Sequence, residues 1–194
     1  MISKRLNTIG CCGIDCGLCP RFHSKSDSAC PGCGGLKFKE KHPACGFVTC
    51  CAIKKGFEVC SECMEYPCGR FESEYSGYDS FVTHRKVFGN LDFIKSNGIN
   101  SFIEEQIKRM EILVEFLEQY NDGRSASYFC VSCALIPLNK LQEIHSLINI
   151  QNNIIDIKQK SRLLKNSLQR MADDLKINLK LNVKKQIIAI LFFL

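Results

Sequence analysis

The chain has 194 residues, with 26 Lys and Arg against 20 Asp and Glu, and it carries 14 cysteines and no tryptophan. That length suits one domain or two small ones, and 24% charged with 45% hydrophobic residues excludes both wholesale disorder and a polytopic membrane protein. The formal +6 invites a nucleic-acid partner, but it counts every thiol as neutral.

Residues 1–10 hold Lys4 and Arg5 with no apolar run behind them, so no cleavable signal is expected. Apolar side chains are dense only over residues 187–194, too short for a spanning helix, which needs about 20 residues. No membrane span is expected, and the tail reads as a packed or partner-bound segment. The expected address is cytoplasmic, where a reducing pool disfavours disulfides and metal binding becomes the leading explanation for so many thiols.

Twelve of the 14 cysteines fall in residues 11–68, together with only 11 Ile, Leu, Val, Phe and Met side chains. Such a segment cannot fold on hydrophobic burial alone, whereas a structural zinc site supplies about 10–16 kcal/mol that becomes folding free energy. Residues 1–76 are therefore expected to form a loop-rich, multi-cysteine metal-binding module of zinc knuckles. It would dock on a small helical domain, residues 77–194, with one short strand.

Within that module Cys16 with Cys19, Cys30 with Cys33, and Cys60 with Cys63 have the CxxC spacing, and Cys130 with Cys133 repeats it later. Two intervening residues let both sulfurs converge on one ion from a tight turn. In Cys30-Pro31-Gly32-Cys33-Gly34 the second glycine permits positive φ where the turn reverses. The simplest grouping joins Cys16, Cys19, Cys30 and Cys33, with Cys12 competing. A second site draws on Cys60, Cys63 and Cys68 plus Cys45, Cys50 or Cys51. A cross-braced arrangement satisfies the same spacing, and tetrahedral sulfur suits zinc or iron. About two zinc ions are expected, with iron or an iron-sulfur cluster as the alternative. His23 and His42 are near enough in sequence to replace a sulfur, but solvated loop positions are the simpler expectation.

Beyond Tyr78 the pattern turns helical. Val87, Leu91 and Ile94 share a stripe; Ser101 with Glu104 has capping-box spacing; Ile103, Ile107, Met110, Val114 and Leu117 follow at helical steps. That helix should stop near Asn121, Asp122 and Gly123. Cys130 and Cys133 are expected to dock on the cysteine-rich half, as small hydrophobes or extra ligands. Pro137 opens another helix carrying Leu138, Leu141, Ile144 and Ile148. Residues 154–175 show a heptad seam of Ile154, Ile157, Ser161, Leu164, Leu168, Met171 and Leu175. A bundle-packing face is the expectation there, with a homodimer as the alternative. Last, Ile177, Leu179, Leu181 and Val183 alternate with polar residues and predict a half-buried strand.

The stretches Cys12-Gly13-Ile14-Asp15-Cys16-Gly17-Leu18-Cys19-Pro20, Cys51-Ala52-Ile53-Lys54-Lys55-Gly56, Cys60-Ser61-Glu62-Cys63 and Tyr66-Pro67-Cys68 resemble the cysteine-rich domain of unknown function numbered 3795. The likeness extends through Asp122-Gly123-Arg124-Ser125 and Phe129-Cys130, and so spans roughly residues 8–183. The resemblance implies a metal-binding, chiefly zinc-binding, cytosolic protein and names no activity. Doubled cysteines at 11/12 and 50/51 depart from the family pattern and leave open which of each pair is the ligand.

No phosphate loop, nucleophile elbow or zinc-protease motif is present, so an interaction or adaptor role with a protein partner is the expected class. Metal sensing or storage, redox work and nucleic-acid binding are the rivals. The last rests on Lys158, Lys160, Arg162, Lys165, Arg170, Lys176, Lys180, Lys184 and Lys185, which lack interleaved aromatics. Each four-thiolate zinc site adds −2, so two sites would bring +6 down to +2.

Overall fold

The computed structural model describes residues 4–74, 78–150 and 156–183. The chain is mostly helical. Its first part is loop-rich, with 3-10 turns at Cys16–Leu18 and Cys60–Glu62, a π-helix at Val48–Lys54, and short helices α1 (Phe38–Lys41) and α2 (Gly69–Glu74). Five longer helices follow: α3 (Val87–Asn97), α4 (Ile99–Gln119), α5 (Ala126–Leu135), α6 (Leu138–Ile150) and α7 (Ile157–Asp174). The apolar tail, Ile154, Lys184, Lys185 and the junction at residues 76 and 77 lie outside the described residues.

The stripe on α3 forms as expected, with Val87, Leu91 and Ile94 buried. Its junction with α4 does not follow the expected capping box. Gly98, at φ 85°, donates its N–H to Ile94 O and serves both as the end of α3 and as the start of α4. Ser101 therefore lies inside α4 and donates its hydroxyl to Asn97 O. A glycine free to take positive φ lets the two helices abut, which moves the start upstream of the capping signal.

The core-facing line of α4 is also displaced from the expected one. Phe102, Gln106, Leu113 and Phe116 are buried, whereas Ile107 and Val114 are 48% and 39% exposed. Two apolar lines run side by side on this helix, and the neighbours cover the one that contains Gln106 and Arg109. Met110 and Leu117 pack on its flank.

Helix α7 begins at Asp156, whose carboxylate accepts from the N–H groups of Lys158 and Gln159. Its seam faces inward: Leu164, Leu168 and Ala172 join the cluster built by α4, α5 and α6. The polar lapse at Ser161 has a partner, since its hydroxyl meets that of Ser125 at 2.8 Å. The middle of the seam is thus packed within the chain, while Ile157 and Leu175 at its ends are exposed.

Residues 177–183 do not form a strand. Leu179 is buried while Asn178 and Lys180 are exposed, but Val183 is exposed too, and among the described residues no strand lies alongside. Instead the Arg85 guanidinium donates to Asn178 O and Lys180 O, and Asp79 N–H donates to Asn182 O. Among the described residues the β structure is one isolated antiparallel bridge between Ile9 and Asp15. No helix among them is long and apolar enough to cross a membrane.

Two buried clusters result. One gathers Ile9, Phe38, Phe47, Val59 and Phe71 with the thiols of Cys11, Cys12, Cys33 and Cys51, and it takes Val87, Leu91, Ile94 and Phe102 from the helices. The other is built by α4 to α7 and takes Leu18 from the cysteine-rich part.

Candidate metal centre

The cysteine turns hang on one short segment, residues 7–11. Asn7 O accepts from Cys33 N–H at 2.9 Å, Thr8 O from Gly17 N–H at 2.7 Å, and Cys11 O from Cys60 N–H at 2.8 Å. Three cysteine-bearing turns far apart in sequence are thereby brought against residues 7–11. The turn at residues 30–34 is held further by Asn7 Nδ2, which donates to Pro31 O at 2.7 Å. Gly32 and Gly34 both take positive φ, 78° and 75°. The reversal expected after Cys33 is therefore present.

Five of the cysteines proposed for the second site, Cys50, Cys51, Cys60, Cys63 and Cys68, line a cavity of about 30 Å³. That is the room of about one water molecule. Cys50 and Cys51 reach it from the π-helix, a local geometry that recurs at functional positions. Cys45 lies away from it, on the wall of a separate groove with Phe38 and Val48. At the rim, Lys55 Nζ donates to Cys63 Sγ at 3.0 Å and to Glu65 at 2.9 Å. The Lys55 hydrogen bond and a backbone N–H at Glu65 hold the Cys63 thiol below its ordinary pKa.

Cys11, outside the ligand set expected from spacing, stands at the centre of a second sulfur contact. Its Sγ lies 3.9 Å from Cys33 Sγ. A tetrahedron with metal–sulfur bonds of about 2.3 Å has sulfur–sulfur edges of about 3.8 Å, so this pair already has the separation of two zinc ligands. Cys11 also meets Cys51, and Cys51 meets Cys60, so the row Cys33, Cys11, Cys51, Cys60 runs from one turn toward the cavity. The Cys33 contact lowers the Cys11 pKa, but the Cys51 contact, burial and repulsion from Cys51 outweigh it and push the thiol up. The doubled cysteine at 11/12 was the one signal in the sequence that could have pointed to Cys11.

The first expected group is only loosely gathered. Cys16 is half-buried; desolvation raises its pKa, and Cys33, Cys12 and Cys19 stand close enough to raise it further by repulsion. Burial, and repulsion from Cys33 and Cys45, push Cys12 up to about 12. Cys19 feels Cys30 in the same way. On α5, Cys130 and Cys133 are 1% and 0% exposed, and Cys130 feels Cys19. They pack in the α4 to α7 cluster, which also takes in Leu18. His23 donates to Gly17 O at 2.6 Å, and His42 stacks on Phe38 with its ring centroid 4.7 Å away. Among the described residues no three Cys, His, Asp or Glu side chains are drawn together around one ion-sized point. The donor chemistry fits a thiophilic metal, and the local turns are formed, while the complete coordination shells are not.

A cation is built in beside the thiols. The side chain of Lys4 is fully buried; its Nζ donates to Glu58 O at 2.8 Å and lies 3.4 Å from the Glu58 carboxylate. Its charge acts to lower the pKa of Cys11, Cys33 and Cys51, which favours thiolates there. Glu58 also accepts from the N–H groups of Arg5 and Leu6. Burial acts to raise the Glu58 pKa, but those two N–H groups and Lys4 outweigh it and hold it below 4.5. A depressed folded-state pKa contributes stability above the ordinary value, and that contribution is lost as pH falls through the depressed one. Glu58→Gln should lower stability at pH 7 by about 1–3 kcal/mol, the worth of hydrogen bonds to a charged group. The gap to the native protein should close as pH falls below the ordinary carboxylate range. Urea midpoints across pH 3 to 7 measure both.

No family model, no curated protein and no solved structure matches this chain.

Proposed function

We propose that the chain is a zinc-binding protein whose ions are structural, and that it acts as an interaction or adaptor module. The observation that carries this reading is the cavity walled by Cys50, Cys51, Cys60, Cys63 and Cys68. Thiols that still carry their protons give them up when a cation enters, so metal uptake releases protons and closes the shell. One ion is assigned there, held by Cys60, Cys63 and Cys68 with Cys50 or Cys51. A second is assigned to the Cys11 and Cys33 edge, completed by Cys12 and Cys16. Four thiolates leave no open position for water or substrate, which argues for a structural role. The likeness to the cysteine-rich family numbered 3795 and a cytoplasmic address belong to the same proposal.

The cysteine motifs and the short apolar inventory of residues 11–68 favour metal over a purely packed thiol core. The basic residues of α7, among them Lys158, Arg162 and Arg170, lie exposed on the face away from Leu164 and Leu168, as a solvated helix face does. Metal analysis of a Cys60→Ser/Cys63→Ser double variant tests the ligand assignment. It should retain about one zinc fewer per chain than the native protein, one site having lost two of four thiolates. Equal content in the two proteins would contradict the assignment.

A further inference from the structure

A second cavity, unrelated to the thiols, opens where α3 and α4 meet the cysteine-rich part. It has a volume of about 130 Å³ and is lined in part by Asp15, Lys86, Phe93, Phe102, Gln106 and Arg109. That is the room of about four water molecules.

Its inner end carries an unmet demand for a hydrogen-bond donor. Gln106 is 2% exposed, and its Nε2 donates to Thr8 O at 2.9 Å and to Asp15 Oδ1 at 2.6 Å. Both partners are acceptors, so the amide can face only one way, and Oε1 must accept. That oxygen is buried and has no partner. A buried acceptor left unmatched costs about 1–3 kcal/mol, and groups of this kind call for an occupant. Beside it the carboxyl of Asp15 is also buried. Arg109 is committed through Nη1 to Cys133 O and Ile136 O, and through Nε and Nη2 to Glu105. The outer end has the opposite character, because Lys86 is exposed at the rim with no side-chain partner among the described residues. Between the ends stand the rings of Phe93 and Phe102, edge to face at 6.5 Å.

We propose that this cavity binds a small zwitterion, an amino-acid-sized molecule whose ammonium donates to Gln106 Oε1 and Asp15 and whose carboxylate meets Lys86. The carbon skeleton lies against Phe93 and Phe102. A cavity of this size and two-ended charge selects a compact ligand with both groups. Neither a simple amine nor a simple carboxylate satisfies both ends. The inference does not depend on the zinc reading, and its test leaves the metal in place.

The experiment is calorimetric titration of the full, metal-loaded chain with individual free amino acids, each paired with its N-acetyl derivative and with the matching amine that lacks a carboxylate. At least one free amino acid should bind with a Kd at or below about 1 mM, and both matched derivatives should bind at least about tenfold more weakly. Lys86→Ala, at an exposed position that disturbs no packing, should weaken the same amino acid by about tenfold, the loss of one charge-assisted contact. Absence of binding up to about 10 mM, meaning that water alone fills the cavity, would overturn the proposal. So would equal binding of either derivative, or an affinity unchanged in Lys86→Ala.

Discussion

With zinc bound as proposed, a strong chelator should unfold the cysteine-rich part and leave the α4 to α7 core standing. Each structural site contributes about 10–16 kcal/mol, while the whole net stability of a domain is about 5–15 kcal/mol. The cluster that holds the cysteine-rich part together includes Cys11, Cys12, Cys33 and Cys51 among its buried members, so removing the metal leaves a core in which thiols replace methyl groups. The second cluster has no such dependence. Leu113, Phe116, Phe129, Leu141, Leu164 and Leu168 are buried there, and its two thiols, Cys130 and Cys133, belong to neither proposed site. Hydrogen exchange resolves the two outcomes. Amides of Gly17, Cys33 and Cys60, which bond across the 7–11 segment, should lose protection on chelation, while those inside α4 and α5 keep it.

Replacing Gly32 by alanine should be the most damaging single methyl addition in the cysteine-rich part. Gly32 takes φ 78°, and an added Cβ would stand 2.2 Å from Asn7 O, which is backbone and cannot swing away. The left-handed conformation alone costs about 1–2 kcal/mol for an L-residue. Relief of the clash must push the turn off Asn7, and that breaks the Cys33 N–H bond and the Asn7 side-chain bond to Pro31, worth about 1 kcal/mol each. The displaced turn carries Cys33 away from Cys11. Gly32→Ala should therefore lose several kcal/mol of stability together with affinity for one metal ion, measured by thermal unfolding and competitive chelation. Gly56→Ala is the control: it shares positive φ, at 73°, but has open space around the missing Cβ. It should show the strain alone.

The contrast between these glycines bears on what the sequence could disclose. Positive φ after a CxxC pair was readable, because the turn geometry is local. The partner of Cys33 was not, because Cys11 meets it only through the hydrogen bonds that hang separate turns on residues 7–11. Spacing put Cys12 among the candidate ligands, and the doubled cysteine left open whether Cys11 or Cys12 is the ligand. In the helical half, periodicity identified the α3 stripe, the α6 face and the central seam of α7, where apolar side chains form most of the buried line and Asn90 and Ser161 are the polar members. It misplaced the face of α4, because Gln106 and Arg109 occupy the buried line and hold carbonyl and carboxylate partners there. Alternation at 177–183 reported the burial of Leu179, but Val183 is exposed and, among the described residues, no strand lies alongside; Arg85 and Asp79 take that place.

The most direct measurement is the metal content of the native protein, purified without added metal and without oxygen, together with its visible spectrum. The account predicts about two zinc ions per chain, each held by four thiolates, and no absorption band near about 400 nm. A folded protein free of metal would contradict it, and a stoichiometric iron content with such a band would replace zinc by iron.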